Sequence, residues 1–193
     1  DHGEEFLEHG RTFHGQSAYG ELNQVPLVLW GPGRVPAGTR LEQTVQTIDI
    51  MPTLLEISRL RPPAEMQGRS LVPLLAGKEW SRRPAITEKP RAEDDLPPLD
   101  TDSVAIMADG WKLIHNTRRH PPKAEYELYD FNKDLLDSTD VAARHPEVVE
   151  KLARELTAWR RKAEAGRPKP DAETAAAVSG EELERLRALG YVQ

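Results

Sequence analysis

Val104-Ala105-Ile106-Met107-Ala108-Asp109-Gly110-Trp111-Lys112-Leu113-Ile114-His115 carries the strongest local fold signal in the chain. Two apolar runs of strand length flank a single Asp-Gly pair. A two-residue type I′ turn needs positive φ at both central positions, and Asp-Gly supplies it, so the stretch predicts a β-hairpin. Beyond this hairpin, Tyr126-Glu127-Leu128-Tyr129 predicts another strand, ended by Asp130 and Asn132, and Pro84-Ala85-Ile86-Thr87-Glu88 predicts one on the other side. Four short strands of this kind make a small antiparallel sheet. From Pro146 onward Val149, Leu152, Leu156 and Trp159 recur at three- and four-residue spacing, which predicts a helix with one face packed on that sheet. Residues 89–101 are Pro-rich and acidic and read as an exposed loop.

The first 80 residues have a different character. Residues 1–24 are polar, rich in Gly and His and without periodicity, and read as a surface or active-site loop. Val25-Pro26-Leu27-Val28-Leu29-Trp30 is short and apolar and stops at Gly31-Pro32-Gly33, which predicts a buried strand. In residues 44–60, Ile48, Met51, Leu54 and Leu55 share one helical face, with Thr47 or Asp49 as cap and Arg61-Pro62-Pro63 as terminator. A shorter apolar stretch runs from Leu71 to Leu75 and ends at Gly77. At the far end Ser179-Gly180-Glu181-Glu182 forms a capping box ahead of Leu183, Leu186 and Leu189, with Gly190 suited to the helix stop. The expected division is therefore 1–78, 79–165 with the small sheet and its helix, and 166–193 as linker and tail helix.

Composition narrows the function classes. The chain has 193 residues, 30% of them charged, and a formal net charge of −6. An acidic balance argues against a general partner among nucleic acids or anionic membranes, which call for a basic field. No apolar run reaches the roughly 18 residues of a membrane-spanning helix. There is no Cys, so disulfides and thiolate metal sites are excluded. The chain opens on Asp1-His2-Gly3-Glu4 rather than Met and reads as though cut from a longer protein inside a motif.

That opening carries the chemistry. Asp1 and His2 are a carboxylate and an imidazole, both ligands for a hard or borderline divalent ion. The same tripeptide is also an ordinary Asp-His-Gly turn. His9 and His14, each followed by Gly, can donate to an anionic oxygen or protonate a leaving group, or can be surface histidines of a polar loop. Glu4 can accept from His2 and orient it.

The order Asp-His-Gly-Glu, Glu8-His9-Gly10, His14-Gly15, Val25-Pro26-Leu27-Val28 and Gly31-Pro32-Gly33 resembles the bacterial sulfatases of the alkaline phosphatase superfamily. Thr47, Asp49, Pro52, Thr53, Leu54 and Leu55 resemble the helix that follows. Trp111-Lys112-Leu113-Ile114, Glu127-Leu128-Tyr129-Asp130 and the ending Leu186-Arg187-Ala188-Leu189-Gly190-Tyr191 resemble the family's C-terminal part. The resemblance implies the C-terminal portion of an α/β sandwich plus the small antiparallel sheet, and hydrolysis of a sulfate monoester from a sulfated small molecule or carbohydrate. It implies Asp1 and His2 as ligands of a divalent metal, commonly Ca²⁺. It implies His14, and less directly His9, at the sulfate or the leaving oxygen, a step that an imidazolium donor would make pH-sensitive. It also implies formylglycine as nucleophile and export to the periplasm or outside the cell.

The pattern also departs from the family. The chain holds neither a Cys nor a Ser-x-Pro-x-Arg, so the nucleophile the family uses is not in it, and it should be inactive alone. Other readings stay open at this point: a phosphonate monoester or phosphodiester hydrolase, a phosphoethanolamine transferase, a non-catalytic fragment, or a glycan- or partner-binding module over residues 80–193 with Trp80, Trp111, Tyr126 and Tyr129 as contacts.

Overall fold

The computed structural model describes residues 2–15, 17–89, 102–117, 124–167 and 184–185. The expected tail helix after Ser179, with Leu183, Leu186 and Leu189, lies outside the described residues. So do most of the expected acidic loop and Asp1. The chain divides into two compact units, Asp1–Leu156 and Thr157–Gln193.

The Asp-Gly turn forms as its sequence requires. Asp109 has φ 53° and Gly110 φ 80°, both left-handed. Phe131 N–H closes onto Gly110 O at 2.9 Å. Around this turn, β4 (Ser103–Ala108) pairs antiparallel with β5 (Trp111–Asn116), in register from Ala108 opposite Trp111 to Ser103 opposite Asn116. β3 (Ala85–Lys89) and β6 (Tyr126–Asp130) add at either side, giving the order β3-β4-β5-β6, all antiparallel.

Both faces of this sheet are buried, and they differ in chemistry. Side chains alternate, so Ile106, Leu113 and Leu128 share one face. All three are fully buried, as are Leu152 and Leu156 of the long helix Pro146–Ala165, labelled α4. The start of α4 is held against the hairpin. Lys151 Nζ donates to Asp109 Oδ2 at 2.7 Å, and the Trp111 and His145 rings lie 4.8 Å apart. On the opposite face Ala105, Ile114 and Tyr129 pack with Ala18 and Tyr19. That face also carries Lys112 and Glu127, both buried.

Ala18 and Tyr19 correct the reading of residues 1–24 as a loop without core. The segment makes a two-stranded hairpin, β1 (Glu5–Phe6) with β2 (Thr12–Phe13), and a short helix α1 (Gly20–Asn23). Ala18, Tyr19 and Leu22 are buried. Three apolar residues in a polar segment give no periodicity, yet the face of a sheet is enough to bury them.

Two further expectations are overturned. Val25–Trp30 is neither strand nor buried: Val28 is 83% exposed and Trp30 87%. A continuous apolar run suits a strand covered on both faces, and here no neighbouring strand among the described residues pairs with it. In α2 (Ile50–Ile57), preceded by the 3₁₀ turn Thr47–Asp49, the apolar stripe points outward: Ile48, Met51 and Leu54 are exposed. The buried residues are Asp49, Pro52 and Thr53. They form a latch. Asp49 accepts from Gln46 N–H at 3.1 Å and from Arg69 N–H at 2.9 Å and pairs with the Arg83 guanidinium. Thr53 Oγ1 accepts from Leu71 N–H at 2.9 Å. The first cap is thus Gln46 with Asp49 three residues on, rather than Thr47. The following apolar stretch forms a single turn, α3 (Val72–Leu75), with Leu71 and Leu74 buried and Gly77 at φ 71°.

Candidate active site and its relatives

The β1–β2 hairpin folds the opening motif back on itself. Glu5 lies opposite Phe13 and Phe6 opposite Thr12, so the residues flanking the two strands, Glu4 and His14, meet at one end. Phe13 has φ 74°, rare for a bulky side chain, and delivers His14 from a left-handed bend. His14 Nδ1 donates to Glu4 Oε1 at 2.5 Å. The His14 ring stacks on His2 with centroids 4.0 Å apart. His2, Glu4 and His14 thereby bring three ligand atoms within 4.8 Å of one another, on the exposed side of the hairpin.

Several roles shift from those expected. Glu4 orients His14, not His2, whose Nδ1 lies 2.9 Å from Gly3 O. Gly3 is needed for a close approach: a Cβ there would lie 1.9 Å from the Glu21 carbonyl oxygen, and Gly3 N–H donates to Leu22 O at 3.0 Å. The motif is therefore pinned on α1 immediately behind the histidines.

His9 does not join this group. Its Nδ1 lies 2.6 Å from Glu21 Oε1, its Nε2 2.9 Å from Asp137 O, and its ring stacks on Tyr19 at 3.6 Å. With both ring nitrogens engaged inside the molecule, it faces the hairpin's inner side. Around it lies a buried polar layer that the sequence did not disclose. Tyr19 and Tyr129 hydroxyls donate to Glu127 Oε2 at 2.8 and 2.6 Å, and Asn116 Nδ2 donates to Glu127 Oε1 at 2.6 Å. Burial and the neighbouring Glu127 carboxylate push both phenols well above the ordinary tyrosine range. Lys112 pairs with Asp137, both side chains wholly buried. Burial pushes the lysine down and the aspartate up, although each offsets part of the other's shift.

The aromatic residues considered for glycan contact are largely occupied. Tyr129 is core, the Arg69 guanidinium sits 3.5 Å over Trp80, Trp111 meets His145, and Tyr126 stacks on His115 at 4.6 Å.

Residues 8–162 match the family described as N-sulphoglucosamine sulphohydrolase, C-terminal. The chain belongs to the sulfatase family. It is 31% identical over 160 residues to Arylsulfatase K of Xenopus laevis, a match covering 81% of this chain and 29% of that protein. The chain thus spans under a third of the length of the curated relatives it matches. Among solved structures it resembles the phosphonate monoester hydrolase SpPMH from Silicibacter pomeroyi, with TM-score 0.66 and 23% identity over 83% of this chain and 33% of that one. It also resembles BT4656, solved in complex with its substrate D-glucosamine-2-N,6-O-disulfate, with TM-score 0.62 and 22% identity over 87% and 35%. The fold of this sulfatase chain is accordingly the C-terminal portion of the alkaline-phosphatase-like α/β architecture, with the antiparallel sheet and its helix. No helix among the described residues is long and apolar enough to cross a membrane.

Proposed function

We propose that this sulfatase chain supplies one side of an active site that hydrolyses sulfate monoesters, with Asp1 and His2 as metal ligands and His14 as the donor to the substrate. The observation that carries the reading is the meeting of His2, Glu4 and His14 at the open end of the β1–β2 hairpin. Ten residues separate Glu4 from His14, and only the hairpin brings them together.

The donor set fits a divalent cation. With His14 kept for the substrate, His2 and Glu4 offer an imidazole and a carboxylate to one ion, and Asp1, next to His2 in the sequence, would add a second carboxylate. Ca²⁺ prefers oxygen ligands, so Asp1 and Glu4 would serve it better than the imidazoles, with the remaining oxygens coming from outside this chain. The bound cation would polarise the sulfate oxygens. Glu4 accepts from His14 Nδ1, which leaves Nε2 as the nitrogen to face a sulfate or leaving-group oxygen. Donors aimed at oxygens that gain charge in the transition state act without reorganisation cost. The nucleophile, taken to be formylglycine, would come from elsewhere, since this chain has no Cys and no Ser-x-Pro-x-Arg. A sulfated sugar or aryl sulfate as substrate, and export from the cytoplasm, belong to the same reading.

The test is an assay of the protein expressed from its coding sequence through to its natural start, with an aryl sulfate, an aryl phosphonate ester and a sulfated monosaccharide. Sulfate release is expected, and His14→Ala should lower kcat about 10²- to 10³-fold with a small change in KM. Cleavage of the phosphonate ester in preference to the sulfates would move the reading to phosphorus chemistry. Full activity in the His14→Ala protein would remove the donor role.

A further inference from the structure

The inner side of the same hairpin holds a second group of metal-capable side chains, which the reading above does not use. Glu5 from β1, His9 from the turn and Glu21 from α1 bring three ligand atoms within 4.8 Å of one another. Glu5 is buried and His9 and Glu21 are half-buried, where His2 and His14 are exposed.

Its carboxylates are short of partners. Glu5 is wholly buried, and among the described residues the Ser17 hydroxyl is its donor, at 3.0 Å from Oε1. Glu5 Oε2 is buried without a hydrogen-bond partner. Glu21, with its side chain 5% exposed, places Oε1 against His9 and also leaves Oε2 buried and unpartnered. A buried carboxylate is costly unless opposite charge and donors compensate it, and one neutral hydroxyl does little of that.

His9 is oriented as a ligand would be. Its Nε2 meets the Asp137 carbonyl oxygen at 2.9 Å. A carbonyl can only accept, so Nε2 carries hydrogen; Nδ1 faces the Glu21 carboxylate, also an acceptor, at 2.6 Å, and that contact holds a hydrogen which an incoming ion displaces. A ring held through its other N–H by a backbone carbonyl is the arrangement that fixes metal-binding histidines. Tyr19, stacked on the ring at 3.6 Å, stops it rotating. Once that hydrogen leaves, two carboxylates and a neutral imidazole carry two negative charges; the Lys112 ammonium acts on Glu21 but is already paired with Asp137, whereas a divalent ion cancels both.

We propose that Glu5, His9 and Glu21 form a partly buried divalent-cation site of zinc type, distinct from the His2–Glu4–His14 group. Mixed imidazole and carboxylate donors suit a borderline ion, and three protein ligands leave a fourth position for water. Zinc bonds of about 2.0 Å set tetrahedral ligands about 3.3 Å apart. The site therefore forms if Glu21 Oε1 draws back from its 2.6 Å contact with His9 Nδ1, the ring staying stacked on Tyr19, while Glu5 keeps an oxygen within the 4.8 Å group. Such an ion would tie β1, the turn and α1 together behind the exposed histidines. The inference does not depend on the sulfatase reaction, because it is read as metal binding.

The experiment is calorimetric titration of this chain with Zn²⁺ alone. The double variant His2→Ala/His14→Ala removes the outer group. It should still bind one Zn²⁺, and Zn²⁺ should still raise its melting midpoint. Adding Glu5→Gln or Glu21→Gln should weaken that binding at least about tenfold. The two glutamine changes are made separately, and the one whose zinc-free melting midpoint matches its parent supplies the reading. His9→Gln serves in the same way if both glutamines melt early. Loss of all zinc binding in the double variant, or unchanged affinity after the inner substitutions, would overturn the site and leave His9–Glu21 as a closed imidazolium–carboxylate pair only. Failure of the outer reading has its own signature: the double variant would bind zinc just as the parent does.

Discussion

The antiparallel sheet and the segment from Val25 to Leu60 contain comparable amounts of apolar side chain, yet one buries them and the other does not. Ile106, Leu113 and Leu128 are fully buried, whereas Val28, Trp30, Met51 and Leu60 are each more than half exposed. The difference lies in where the partners come from. The four strands of the sheet are consecutive in the chain and pair in that order, so each ladder closes on a neighbour within reach. An apolar run such as Val25–Trp30 suits a parallel strand, whose partners are distant in sequence by necessity. Apolarity alone therefore predicts that a segment wants burial. Topology decides whether this chain can supply it.

The largest effect expected from breaking this contrast is at the sheet's buried ion pair. Asp137→Asn keeps the side chain's size and tolerates the left-handed backbone at φ 53°, but leaves the Lys112 ammonium buried without its counter-charge. Breaking one side of a buried pair costs about 3–5 kcal/mol. Urea denaturation should show that loss in the unit that contains the sheet. A change below about 1 kcal/mol would mean that Lys112 is neutral in the folded chain.

Next comes the apolar contrast itself. Leu113→Ala should destabilise the sheet by about 2–5 kcal/mol, the range for deleting a buried leucine side chain. Val28→Ala, at a position 83% exposed, should stay within about 0.5 kcal/mol in this chain. A large loss at Val28 would show that the segment is covered in solution after all, by a second copy or by itself.

The same contrast explains how far the sequence could be read. The hairpin at Asp109-Gly110, its flanking strands and α4 were legible because local chemistry and period determined them. Val25–Trp30 was misread because its pattern reports a requirement and not its fulfilment. The stripe on α2 failed for the same reason. In the candidate site, family resemblance named His2 and His14 for separate roles, while the two-residue ladder with Phe13 left-handed that stacks their rings left no periodic trace. Glu5 inverts the usual pattern, buried beside a Phe6 that is 76% exposed, and Lys112 hides inside an apolar strand. Buried charges of this kind are set by partners far along the chain, Ser17 for Glu5 and Asp137 for Lys112. No window of sequence shows them.

The smallest effect separates the sheet from everything exposed. Tyr19 and Tyr129 are held protonated by burial and by Glu127, so their folded values lie above the unfolded ones. A raised value contributes stability that is complete below the unfolded tyrosine value of about 10 and is lost as pH climbs above it. Unfolding then releases protons that the folded sheet retains. Melting midpoints should be flat with respect to these two groups up to about pH 9 and fall beyond it. Tyr129→Phe should cost about 1 kcal/mol at neutral pH through the lost bond to Glu127, and should also reduce the alkaline slope, because one of the two retained protons is gone. Val28→Ala should leave that slope untouched. An alkaline slope that Tyr129→Phe does not alter would place the titration outside the buried layer.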